Sequence, residues 1–112
     1  MKLVNKTPHD VNVYSGSKVI ATYPSAGQIR LEERVVANHK IKDNNGVELD
    51  IVDKEYGSSE LPEPVTGQFF IVSKIVRDAF PDRTDLLVPD TGPDSVVRDD
   101  NGRIIGIRRF QL

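Results

Sequence analysis

The hydrophobic pattern is densest between residues 61 and 90, where it predicts a strand followed by a short helix. Gln68–Val72 is rich in aromatic and β-branched residues, which is typical of a strand buried on both faces. Ser73 then stands at a helix N-cap position, because its hydroxyl can accept from a free backbone N–H. Pro81 ends the helix, and Leu86–Val88 is predicted to be a second short strand. Four apolar residues form the predicted helical stripe: Ile75, Val76, Ala79 and Phe80.

Alternation with a period of two predicts strands in the first third of the chain. Lys2–Val4 is a short candidate strand, and Val11 and Val13 alternate with polar neighbours. The turn at Ser15-Gly16-Ser17 leads into Val19–Tyr23, so a first hairpin is expected here.

The alternation in Gln28–Val36 begins cleanly and then loses its phase, because Val35 and Val36 are adjacent. A β-bulge, or the end of one strand, explains such a slip. A short helix over Leu31–Ala37 is the competing interpretation.

Two Asn-Gly pairs predict tight hairpins. Asn45-Gly46 indicates a type I′ turn between Lys40–Lys42 and Val47–Val52, in which Val47, Leu49 and Ile51 face one way. Asn101-Gly102 similarly predicts a hairpin between Ser95–Asp99 and Arg103–Phe110. The latter segment is apolar on both faces, which predicts that it lies inside the sheet; its apolar residues are Ile104, Ile105 and Ile107.

These elements together predict a mainly β (α+β) fold. We expect a compact antiparallel sheet, barrel-like or sandwich-like, with one helix at about residues 73–80. The chain of 112 residues shows no internal repeat or linker, so a single domain over 1–112 is predicted.

Composition narrows the classes of function. Fifteen Lys and Arg residues against seventeen Asp and Glu residues give a net charge of −2, so binding to duplex nucleic acid is not expected. The absence of cysteine excludes disulfides, thiolate metal sites and a cysteine nucleophile. No secretory h-region and no membrane-spanning apolar run is present, so a cytoplasmic protein is expected, in the host cytoplasm if a phage encodes it.

His9 is the first candidate for chemistry, because a histidine can transfer protons near neutral pH. Asp10 stands next to it, yet no serine lies in a nucleophile elbow. A small hydrolase using His9 with Asp10 or Asp85 is therefore the least favoured function, and the favoured interpretation is a hydrogen-bonded strand end. Neither histidine has a partner at metal-ligand spacing, so we expect no metal, no cofactor and no catalytic residue.

Arginines form the second group of candidates. Arg83 can bind a carboxylate or phosphate bidentately together with Arg98, but the favoured interpretation is that it pairs with Asp85 or Asp82 and fixes a turn. Arg108 and Phe110 share a predicted strand face, the combination that stacks on a nucleotide ring, although charged residues also simply solvate a sheet edge. Three tyrosines are further candidates for partner contact: Tyr14, Tyr23 and Tyr56.

Several short motifs resemble those of a family of small proteins from phages, prophages and bacteria. They are Asn5-x-Thr7-Pro8-His9, Leu61-Pro62-x-Pro64, Ile71-Val72-Ser73, Pro81-x-Arg83-x-Asp85-Leu86 and Val97-Arg98-Asp99 with Gly102. Members often carry glycine just before the LPxP motif, where this chain has Ser58-Ser59-Glu60. The family has no assigned reaction, so the resemblance implies a shared fold and a phage-type accessory role.

The expected function is therefore non-catalytic binding. The expected partner is a host or phage protein, such as a host defence component, or a small anionic, nucleotide-like ligand. For this binding the candidate residues are His9, Arg83, Asp85, Arg98, Arg108 and Phe110. The alternative is a structural, virion-associated protein that self-assembles, since β domains with open edges suit homo-oligomers.

Overall fold

A computed structural model describes all residues, 1–112, and contains ten strands and one helix. The mainly β class with a single short helix is confirmed. In chain order the elements are β1 (Lys2–Asn5), β2 (Val11–Ser15), β3 (Lys18–Tyr23), β4 (Glu32–Lys42), β5 (Glu48–Gly57), β6 (Gln68–Ile71), α1 (Lys74–Ala79), β7 (Leu86–Pro89), β8 (Val97–Arg98), β9 (Ile104–Gly106) and β10 (Phe110–Gln111).

The central sheet has the strand order β1-β6-β7-β10. Two of its pairs, β1 with β6 and β6 with β7, are parallel, whereas the other four of the six strand pairs in the molecule are antiparallel. Because α1 lies in the connection from β6 to β7, that parallel pair is joined by a helical crossover. The remaining strands form three separate two-stranded hairpins, β2-β3, β4-β5 and β8-β9.

The two faces of the central sheet carry two apolar clusters, because successive side chains of a strand point to opposite sides. Phe70 and Val72 belong to one cluster and Ile71 to the other, and all three are buried, which confirms the strand predicted to be covered on both faces. The first cluster is completed by Ile29, Val76, Leu86 and Val88. The second is completed by Val11, Val13 and Ile107.

Helix α1 begins as predicted, since the Ser73 hydroxyl accepts from the backbone N–H of Val76 at 3.4 Å. Val76 is buried against the first cluster. The predicted stripe is wrong for Ile75, which is 64% exposed, because a helix of only six residues buries one narrow side. No helix of the structure has the length and apolar character needed to cross a membrane.

Strands β4 and β5 form a hairpin of 11 and 10 residues that is longer than the sequence predicted, and we call it the arm. The predicted bulge is confirmed as a register shift between Val35 and Ala37, and the helix over Leu31–Ala37 is wrong. The arm pairs with no other strand, and no residue of either apolar cluster lies in it. The molecule accordingly measures 58 × 38 × 19 Å.

The turns at both Asn-Gly pairs are confirmed, but they are not of type I′. A type I′ turn needs positive φ at both central residues. In these two loops φ is positive at Gly46 and Gly102 but at neither asparagine. Each loop instead reads Asp-x-Asn-Gly-x, and the Asp carboxylate accepts two backbone N–H groups inside the loop, as Asp43 does from Asn45 and Val47. The Asp99 carboxylate accepts in the same way from the backbone N–H groups of Asn101 and Arg103, so the two loops have the same hydrogen-bonding pattern.

The prediction that the last long segment lies inside the sheet is wrong. Ile107 is buried, but Ile104 and Ile105 are 50% and 38% exposed, because β9 pairs only with β8. The buried hydroxyl of Ser95 accepts from the backbone N–H groups of Arg108 and Arg109, each at 3.1 Å. These bonds anchor the residues between β9 and β10, and β10 then joins the edge of the central sheet beside β7.

Candidate functional site

The Asn5-x-Thr7-Pro8-His9 motif forms a hydrogen-bonded turn at the end of β1. The Asn5 side chain is buried, and its amide donates to the carbonyls of His9 and Tyr23, both at 2.8 Å. Its oxygen accepts from the backbone N–H of Thr7 at 3.0 Å and from the Thr7 hydroxyl at 2.6 Å. Both polar groups of the Asn5 side chain are thus hydrogen-bonded within the protein. The motif therefore has a structural role that needs no ligand.

His9 itself is exposed, and its ring makes no hydrogen bond to Asp10. The Asp10 carboxylate accepts instead from the backbone N–H of Ser25 at 2.9 Å. Asp85 is engaged by Arg83. Neither carboxylate orients the imidazole, so the geometry builds no catalytic dyad around His9.

A cleft of about 380 Å³ lies beside His9, between the β9 region and the loop after β7. Its wall is largely apolar and includes Pro89, Ile104 and Ile105. Its polar lining residues are His9, Asp10, Asn12 and Thr91. Thr91 carries the only hydroxyl among the lining residues. This arrangement suits the binding of a small, partly apolar group better than nucleophilic attack.

Arg83 and Asp85 form an ion pair inside the molecule. The guanidinium donates to both carboxylate oxygens at 2.8 Å and to the Pro62 carbonyl at 2.9 Å, so it ties the LPxP loop to the segment after α1. The two side chains are only 19% and 15% exposed. The hydrogen bond from Arg83 lowers the pKa of Asp85, and the same bond raises the pKa of Arg83. The pair fixes a turn, which is the interpretation of this arginine that the sequence favoured.

The remaining candidates lie apart from this pair and from the cleft. Arg98 donates to the Gly102 carbonyl at 2.7 Å, within its own hairpin loop. Arg108 donates to the carbonyls of Val96 and Gly16, at 3.2 and 3.4 Å. Phe110 packs edge-to-face against Tyr23, with 6.3 Å between ring centroids. Of the six predicted binding residues, only His9 lines the cleft, so the structure does not gather them into one site.

The arm is the most conspicuous surface that sequence reasoning did not single out as a site. The register of β4 with β5 places Ile41 opposite Leu49 and His39 opposite Ile51, so these residues share one face. Val47 joins them by alternation. Four apolar side chains of this face are between 42% and 51% exposed: Ile41, Val47, Leu49 and Ile51. We call them the apolar face of the arm.

The opposite face of the same half of the arm is charged. Lys40 lies 3.4 Å from Glu48 and 3.2 Å from Asp50, and Lys42 stands opposite Glu48 in the register. The ribbon is therefore amphipathic, and nothing in the chain covers its apolar side. The alternation of Val47, Leu49 and Ile51 is visible in the sequence, but it is equally typical of a strand that packs on a core.

The base of the arm carries two ion pairs beside the exposed side chains of Val35 and Val36. Arg34 pairs with Glu55 at 2.6 Å, and Lys54 pairs with Glu33 at 2.9 Å. The hydrogen bond that Lys54 donates to Glu33 raises the pKa of Lys54. A groove of about 310 Å³ runs beside these residues and Tyr56. All of these side chains are exposed, so the pairs orient the base of the arm without adding much stability.

No protein-family model, no curated protein and no solved structure matches this chain. The function of this chain is therefore argued from the geometry of the arm.

Proposed function

We propose that this protein is a phage- or prophage-type accessory protein that acts without catalysis, by binding another protein through the apolar face of the arm. A host component, such as a defence protein in the host cytoplasm, is the partner that this role implies. The observation that carries the proposal is an amphipathic ribbon whose apolar side is uncovered.

Several physical arguments support a protein partner. Contiguous exposed apolar side chains on a soluble protein mark interaction surfaces, because burying them against a partner removes them from water. An isolated two-stranded hairpin is only marginally stable in water, so contact with a partner also offsets the cost of holding the arm in place. The charged residues of the opposite face, Lys40, Lys42 and Glu48, keep that side of the ribbon in water, which leaves the apolar face as the side for a partner.

The small anionic ligand receives less support from the geometry. Such a ligand needs guanidinium groups with free donors facing one space. Arg83 directs three hydrogen bonds to Asp85 and Pro62, and the side chains of Arg98 and Arg108 donate to backbone carbonyls. Neither cavity is lined by any of these three arginines.

The test compares Leu49→Asp with Ile75→Asp as immobilised baits in extract from the bacterial host. Both substitutions place one negative charge at an exposed apolar position, but only Leu49 lies on the apolar face of the arm. We expect the wild type and Ile75→Asp to retain a shared set of proteins that Leu49→Asp loses. Retention of the same proteins by all three baits would contradict the proposal.

A further inference from the structure

The cleft beside His9 joins buried and exposed apolar surface. Two of its lining residues, Val11 and Ile107, are buried members of the second apolar cluster. Two others, Ile104 and Ile105, are 50% and 38% exposed, so the cleft offers apolar surface that the chain itself leaves in water. Its volume of about 380 Å³ lies within the range of small-molecule sites in proteins.

Two polar residues of the cleft are fixed in place by hydrogen bonds. The His9 carbonyl accepts from the buried Asn5 amide at 2.8 Å and from the Thr7 hydroxyl at 3.0 Å, so the backbone that carries His9 is anchored. One carboxylate oxygen of Asp10 accepts from the backbone N–H of Ser25 at 2.9 Å. The His9 ring and the second Asp10 oxygen make no hydrogen bond within the chain. Both groups are therefore positioned by the fold and still able to bind a ligand.

The charge of the lining residues selects among ligands. Apart from His9, Asp10 is the only ionisable side chain that lines the cleft, and no lysine or arginine does so. Asp10 also takes part in no ion pair within the chain. An anionic ligand would therefore meet a carboxylate with no cation to balance it, whereas an ammonium group would form a charge-assisted hydrogen bond with Asp10.

We propose that the cleft is a binding site for a small apolar amine. The ammonium group of the ligand donates to the second oxygen of Asp10, and its hydrocarbon part covers Ile104, Ile105 and Pro89. The Thr91 hydroxyl lines the same cleft and can bind a further polar group of the ligand. This site goes beyond the proposed function, because no residue of the arm lines the cleft.

Both parts of the ligand contribute to its binding. Asp10 is exposed, and an ion pair at an exposed position contributes little by itself. Covering the exposed parts of Ile104 and Ile105 with hydrocarbon removes apolar surface from water and adds to the affinity. An amine with an apolar body should therefore bind more tightly than an alcohol of the same shape or an amine with a short chain.

The experiment titrates ¹⁵N-labelled protein with 2-phenylethylamine and follows the backbone amide signals by NMR. The comparison compounds are 2-phenylethanol, which lacks the charge, phenylacetate, which reverses it, and ethylamine, which lacks the apolar body. For 2-phenylethylamine we expect saturable shifts at Thr91, Ile105 and Gly106 with a Kd on the order of 1 mM. The Kd of each comparison compound should be higher by about fivefold or more.

Two variants test the role of the carboxylate. Asp10→Asn removes the charge but keeps an oxygen that can accept from the Ser25 N–H, so the variant should fold. Asp82→Asn is the matched control, because Asp82 is exposed and does not line the cleft. We expect Asp10→Asn to raise the Kd for 2-phenylethylamine about fivefold and to leave the Kd for 2-phenylethanol unchanged. Asp82→Asn should bind both compounds as wild type does, and the amide spectrum reports whether each variant is folded.

Three results would overturn the proposal. The first is the absence of saturable shifts at the cleft amides when 2-phenylethylamine is added to wild type. The second is phenylacetate binding as tightly as the amine, and the third is a folded Asp10→Asn variant that binds the amine as tightly as wild type.

Discussion

At the scale of single residues, the motifs of this chain are explained by hydrogen bonds and close packing. Asn5 satisfies four groups at the end of β1, Ser95 fixes Arg108 and Arg109, and Arg83 joins two loops. The sequence singled out Asn5 and Arg83, because they stand in polar motifs at turns, but it did not single out Ser95. It could not distinguish a structural hydrogen bond from a binding contact, since both use the same donors and acceptors.

Gly106 is required for its small size. A Cβ at this position would lie 2.7 Å from the Asn12 carbonyl oxygen and would overlap the ring of Tyr14. We expect Gly106→Ala to lower the free energy of unfolding by about 2 kcal/mol, because overpacking forces the backbone and ring to shift. Gly57→Ala is the matched control, since nothing lies within 4 Å of its Cβ and its φ is not positive. Urea unfolding measures both, and equal stability of the two variants would contradict the packing described here.

The Asp85 carboxylate makes the free energy of unfolding depend on pH in the acid range. Its pKa is lower in the folded chain than the unfolded value of about 3.9, because Arg83 donates to the carboxylate. As the pH falls, the unfolded state takes up the proton first, so the stabilisation is present above about pH 4 and is lost as the pH falls through the folded pKa. We expect Asp85→Asn to be less stable by about 2 kcal/mol at neutral pH and to lose less stability in acid than wild type.

The control for this pH dependence is Asp82→Asn, because Asp82 is exposed and takes part in no ion pair. Its unfolding free energy should follow the wild-type curve from neutral pH into acid. Asp85→Asn and wild type declining in parallel below about pH 4 would show that the ion pair contributes no acid dependence.

At the scale of elements, the sequence predicted correctly those features that depend on the pattern of neighbouring residues. The bulge at Val36 follows from two adjacent valines, and the start of α1 follows from Ser73. What local pattern leaves open is which neighbour an element packs against. Ile51 and Ile71 both occupy apolar strand positions, yet Ile51 is on the exposed arm and Ile71 is fully buried in the second cluster.

These two isoleucines give a matched test of how the arm relates to the core. We expect Ile71→Ala to lower the free energy of unfolding by about 4 kcal/mol, because it leaves a cavity in the second cluster. Ile51→Ala should change the free energy of the monomer by less than about 0.5 kcal/mol, because that side chain already faces water. Thermal and urea unfolding of dilute protein measure both changes. A large loss for Ile51→Ala would mean that the arm is part of the cooperative core.

At the scale of the whole molecule, the apolar residues form two sets that differ in exposure to water. The sheet β1-β6-β7-β10 buries one set, and the arm displays another. The parallel pairing of β6 with β1 joins residues far apart in the sequence, and no local signal specifies such pairings. The free position of the arm could not be predicted for the same reason, since alternation indicates an apolar face without indicating what covers it.

The most direct test of the arm as the binding element is photo-crosslinking in intact host cells. A photoreactive residue at Leu49 is compared with the same residue at Ile75, which is also exposed but lies on α1. We expect discrete protein adducts at position 49 that are absent at position 75 and that disappear when Val47→Asp is added. No adduct at position 49, or the same adducts at both positions, would contradict the role assigned to the arm.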